Sequence, residues 1–253
     1  VTTAVGVLNI VLGLVYMQYG TMTFIEMRRG WSTLGFSHFG AAWIFMAFTC
    51  GPHHLIHGIH VVGEGRTGGA LDFAAVAVGF PAGVTWFLLR VEAFRGGRGD
   101  RFVSGNPLWV MALPTLAGIY LTALVAGGLA SGDPELQHVW VVVPNILLIG
   151  IYMAIGYFLV RTQIRNHKAL DGWSVSGLAL AIIFPTCALM HAVYAFYALT
   201  GKYGLDSHGL TIDWLAVPAG LYFLWVVRGL YLDTLADWNR NTPSATRTPA
   251  VVG

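Results

Sequence analysis

The stretch Asn9-Ile10-x-Leu12-x3-Tyr16-Met17-x2-Gly20 returns as Asn145-Ile146-x-Leu148-x3-Tyr152-Met153-x2-Gly156, six identities at one constant offset. Such a recurrence constrains the fold more than any local propensity, because the second copy must adopt whatever the first adopts. Two further matches follow in the same order. Gly30-Trp31-Ser32 and Thr49-Cys50-x3-His54 pair with Gly172-Trp173-Ser174 and Thr186-Cys187-x3-His191. Leu71-Asp72-Phe73, Pro81-Ala82-Gly83 and Arg90 pair with Ile212-Asp213-Trp214, Pro218-Ala219-Gly220 and Arg228. Asn, Cys, His, Asp and Pro are scarce in apolar segments, so their alignment reads as an internal duplication of three segments.

Those segments are membrane-like. The chain is 56% hydrophobic and 10% charged, against about a quarter charged in soluble domains, and its mean hydropathy is +0.65. Apolar runs fall at roughly 3–27, 33–62, 70–94, 107–130, 138–160, 173–200 and 211–235, each long enough to cross a hydrocarbon core as a helix. The expected fold is an all-α integral membrane protein of seven helices in a 3+1+3 parallel repeat. The unmatched fourth helix is the odd crossing that keeps both halves in the same orientation. The expected organisation is a first repeat over 1–94, linker loops and helix 4 over 95–137, a second repeat over 138–236 and a disordered tail over 237–253. The first run lacks a basic start and reads as a span, not a cleavable leader.

Twelve of the fourteen Lys and Arg fall in alternate loops or after the last helix: Arg28, Arg29, Arg90, Arg95, Arg98, Arg101, Arg161, Arg165, Lys168, Arg228, Arg240 and Arg247. The positive-inside rule then predicts an outer N-terminus and a cytoplasmic C-terminus, in what is expected to be a bacterial cytoplasmic membrane. The loop RVEAFRGGRGDRFVSGNP reads as exposed and mobile, and Pro52 and Pro185 as kinks or interruptions.

The chemistry gathers on the outer side. His53, His54, His57 and His60 sit within eight residues, just after Cys50. Histidine at membrane depth is costly and points to function. Cys50 and His54 share a helical face, as do Cys187 and His191. A Cys2His2 set of this kind suits zinc or copper, with His53, His57 and His60 as further ligands. Asp72, Asp213, Asn9, Asn145 and Tyr194 are expected behind them, orienting the imidazoles. A second arrangement holds a haem b between His54 and His191. The two cysteines also admit a disulfide or simple packing. The halves differ where His53, His57 and His60 align with Met190, Tyr194 and Tyr197.

The expected function is metal- or haem-dependent redox or metal-assisted chemistry on a membrane-borne or extracytoplasmic substrate or electron partner. One alternative is a small-solute, metal-ion or proton-coupled transporter, weakened by an inner half that is nearly featureless apart from His38. Another is an accessory subunit of a respiratory complex. Lys168 and Lys202 are the only lysines and neither lies in the last span, which removes a retinal Schiff base. Phosphate-binding loops are missing, and the basic residues are explained by topology without nucleic acid.

Overall fold

The computed structural model describes residues 1–65, 69–104, 112, 116–123, 136–200 and 207–241. They form α1 (Thr2–Leu34), α2 (His38–Glu64), α3 (Ala70–Phe94), α4 (116–123), α5 (Leu136–Asn166), α6 (Val175–Leu199) and α7 (Ser207–Asn241). Two short strands, β1 (Phe102–Val103) and β2 (Trp173–Ser174), pair antiparallel.

Five helices carry stretches long and apolar enough to cross a membrane: Thr2–Leu34, Ala70–Phe94, Val142–Asn166, Val175–Leu199 and Ile212–Asp233. At 27 residues α2 would reach about 40 Å, but its histidines lower its hydropathy and it is not among the five. Most of the fourth span expected at 107–130 lies outside the described residues, as do the loop before α5 and the chain from 242. The tail expected from 237 begins as helix, since α7 continues to Asn241.

Helix ends follow from capping residues. Ser37 Oγ accepts the Gly40 amide at 3.0 Å to start α2, and Ser174 Oγ accepts the Gly177 amide at 2.9 Å to start α6, each serving an amide the helix leaves without a partner. Gly65 ends α2 with φ 65°, the left-handed conformation that glycine adopts most cheaply. Pro52 and Pro185 lie inside continuous helices, so neither interrupts its helix.

The pairing of Gly30-Trp31-Ser32 with Gly172-Trp173-Ser174 is corrected. The first triplet belongs to the last turns of α1 with Trp31 exposed, whereas Trp173 is buried in β2. The equivalent caps are Ser37 and Gly40 with Ser174 and Gly177, at the same offset as Cys50 with Cys187. The basic loop is also corrected, because part of it is docked. Asp100 Oδ2 accepts the Ser174 hydroxyl at 2.6 Å and its Oδ1 accepts the Ser176 amide at 2.9 Å. Arg101 binds Glu92 through both carboxylate oxygens, at 3.0 and 2.9 Å.

α1 packs on α2 and α3, and α5 packs on α6 and α7; the two sets meet where α2 touches α7 and α3 touches α6. These contacts close a ring in the order α1, α2, α7, α5, α6, α3. Helices α2 and α6 therefore face each other across its centre. The α1–α2 seam is tight because glycines line it. A Cβ on Gly58 would stand 2.7 Å from the Gly6 carbonyl oxygen, and one on Gly13 would stand 2.7 Å from that of Gly51, the close backbone approach that small residues permit in bilayers. Outside the ring, Leu14, Phe45, Phe48, Leu88, Leu147, Leu221 and Trp225 are exposed, as befits surfaces against hydrocarbon.

Candidate functional site at the centre of the ring

Helices α1 and α2 place Asn9 against His54, and α5 and α6 place Asn145 against His191. His54 Nδ1 lies 2.8 Å from Asn9 Oδ1, and His191 Nδ1 lies 2.7 Å from Asn145 Oδ1. Both amide orientations are fixed by their nitrogens, since Asn9 Nδ2 donates to the Val5 carbonyl at 2.9 Å and Asn145 Nδ2 donates to Asp213 Oδ2 at 2.9 Å. Each Nδ1 must then carry the proton and donate it, which leaves each Nε2 a lone pair. A ligating histidine is held in this way, with its other nitrogen tied to an oxygen acceptor.

One turn below, the cysteines cross the ring. Cys50 Sγ is 3.3 Å from the Tyr152 hydroxyl, and Cys187 Sγ is 4.0 Å from that of Tyr16. Both thiols are free, so no disulfide joins them. The same tyrosines pack edge-on against the imidazoles, Tyr16 to His54 with centroids 5.2 Å apart and Tyr152 to His191 with centroids 5.4 Å apart.

A narrow cavity of about 10 Å³, little more than room for one water or a bare ion, lies among these groups, lined by Thr49, Cys50, His53, His54, Tyr152, Cys187, Met190, His191, Tyr194 and Ala216. Five of the seven residues expected as ligands are thus together. His57 and His60 do not line it. His57 packs against Tyr194 at 4.9 Å, and His60 lies farther along α2. Among the described residues no three His, Cys, Asp or Glu side chains converge as on a preassembled metal centre.

The residues expected behind the ligands divide. Asn9, Asn145 and Asp213 stand behind the imidazoles, whereas Asp72 does not. Its Oδ2 accepts the Gly69 amide at 3.2 Å, and the Tyr197 hydroxyl also hydrogen-bonds to it. Asp213 instead sits with Oδ1 2.8 Å from His53 Nδ1 and 4.0 Å from His191 Nδ1. The sequence explains the difference, because Asp213 is five residues before Pro218 while Asp72 is nine before Pro81. Asp72 therefore lies about one helical turn farther out. Tyr194 lines the cavity, stacked obliquely on His53 with centroids 5.1 Å apart.

Sequence reasoning missed the roles of Tyr16, Tyr152 and Met190. Both tyrosines belong to the repeated α1/α5 motif, so their recurrence was the available signal. Met190 carried none beyond its alignment with His53. No protein-family model, curated protein or solved structure matches this chain.

Proposed function

We propose that the chain is a seven-span membrane protein built from two parallel three-helix repeats, with its N-terminus outside, whose outer half binds a soft transition-metal ion. The observation that carries this reading is the doubled arrangement of Asn9, His54 and Cys50 with Asn145, His191 and Cys187 around one cavity. In both copies Nδ1 is tied and Nε2 is left for a ligand. The ring contacts support the repeat, since exchanging α1 with α5, α2 with α6 and α3 with α7 returns the same ring.

The donor set favours cuprous copper. Thiol and thioether donors select Cu(I), Met190 and both cysteines line the cavity, and a cuprous ion is satisfied by two or three ligands. Zinc calls for four in a tetrahedron, which the side chains do not preassemble. A bare ion is preferred to a haem because Tyr16 and Tyr152 already pack against both imidazoles. When bound, copper would supply one-electron chemistry or be the cargo; the protein's part is to orient His54 and His191 and to hold both thiols beside the ion. The test is elemental analysis with an optical spectrum of protein purified without chelators. Copper near one per chain without a Soret band is expected; a Soret band with stoichiometric iron would replace this reading with the haem, and neither metal nor pigment would remove it.

A second reading, proton-coupled transport of a small solute, is favoured by the His53–Asp213 pair, which joins the two halves through groups that can exchange a proton.

A further inference from the structure

Three cavities follow one another through the protein. The histidine cavity shares Cys50, Tyr152 and Cys187 with a second, of about 20 Å³, which also touches Tyr19, Trp43 and Met46. The second shares Trp43 with a third, of about 270 Å³, at the Arg90 end of the helices, lined also by Glu26, Met27 and Trp86. Each carries sulfur: Met190 and the two cysteines in the first, the same cysteines with Met46 in the second, and Met27 in the third. The third is polar as well, which answers the objection that the inner half is featureless. Its Arg90 guanidinium is bonded to Glu26, so the cation there is neutralised.

We propose that these cavities form a route for cuprous ions between the His54/His191 site and the Arg90 end, with Trp43 as the movable partition. The inference rests on the reading that the central site takes a soft ion. A monovalent soft ion passes between thioether and protonated thiol by exchange of sulfur lone pairs, with no change of oxidation state and no proton released. Fixed anions would trap it, and among the lining residues only Glu26 is anionic, already paired. Trp43 is 4% exposed, stacked on Tyr19 with centroids 5.4 Å apart and edge-on to Trp86 at 5.6 Å. Neither the Trp43 nor the Trp86 indole nitrogen has a hydrogen-bond partner. Packing alone therefore holds this wall, and no hydrogen bond must break for the Trp43 ring to swing aside.

The experiment uses the full chain in liposomes that enclose a cuprous indicator, with ascorbate-reduced copper added outside, beside a binding titration of the same protein in detergent. Wild type is expected to bind about one Cu(I) and to pass it. Met46→Leu, which keeps the volume and removes the sulfur, should slow flux about fivefold or more with binding unchanged, and Trp43→Ala should speed flux several-fold. Binding without flux in the wild type would overturn the route and leave the site standing. No binding would overturn both. Equal flux in wild type and Met46→Leu would remove the sulfur track even if Trp43→Ala failed to fold.

Discussion

His53 on α2 and Asp213 on α7 meet with Nδ1 and Oδ1 2.8 Å apart, and through Asp213 Oδ2 the contact continues to Asn145 and so to His191. One carboxylate thus positions two imidazoles from opposite sides of the ring. Among the described residues nothing equivalent exists in the other half, where Met190 takes the place aligned with His53 and Asp72 is occupied with Tyr197.

Asp213→Ala should therefore cost more than its repeat counterpart. It leaves the Asn145 amide without its acceptor and the His53 ring without the carboxylate it faces, a loss of about 1–3 kcal/mol for a buried polar group. Thermal melting in detergent should show a larger drop for Asp213→Ala than for Asp72→Ala. Equal drops would mean that the relay has no special weight.

The asparagines act through the histidines. Asn9→Ala and Asn145→Ala should each weaken metal binding about 10- to 100-fold, the usual effect of losing the group that orients a ligating imidazole, with circular dichroism unchanged. His167, which is hydrogen-bonded to the Ile164 carbonyl and stacked on Trp173 away from the cavity, serves as control. An effect of His167→Ala as large as that of Asn9→Ala would contradict the placement.

The α1–α2 seam predicts a steric contrast. Gly58→Leu drives a side chain into the Gly6 backbone and should abolish the folded species in size-exclusion chromatography. Gly63→Leu, at a position where a Cβ meets nothing within 4 Å, should leave the elution profile intact. Tolerance of both would show that the helices do not approach so closely.

Asp100 gives a pH signature. Its burial raises the carboxyl, but hydrogen bonds from Ser174, Ser176 and Arg101 outweigh that and hold it below the ordinary carboxylate value. A depressed folded-state value stabilises above the unfolded value of about 4, and the contribution is lost as pH falls through the folded value. Asp100→Asn should melt lower than wild type at pH 7, with the gap closing below about pH 4. A gap independent of pH would mean that the charge plays no part.

Much of this was legible because the recurring sequence motifs concentrate scarce residues. The Asn, Tyr, Cys and His identities of the two copies are the residues that meet at the centre, and the α3 boundaries follow the apolar run at 70–94. What remained hidden depends on register and on three-dimensional neighbours. The Gly-Trp-Ser identity outweighed the quieter Ser37/Gly40 match, although only the latter caps a helix. The four-residue difference in Asp-to-Pro spacing separates Asp72 from the site, yet both aspartates look alike in sequence. His57 and His60 share the histidine run but not the cavity, because successive turns carry them past it. Asp100 looks like loop until the α6 N-terminus that it caps is folded beside it.

The central claim is tested most directly by titrating chelator-treated protein with Cu(I) in competition with a cuprous-specific chelator, for wild type, His54→Ala, His191→Ala and the double variant. The account predicts about one ion per wild-type chain, a large loss of affinity in each single variant and no competition in the double variant. Failure of the wild type to compete, or equal affinity in all four proteins, would contradict it.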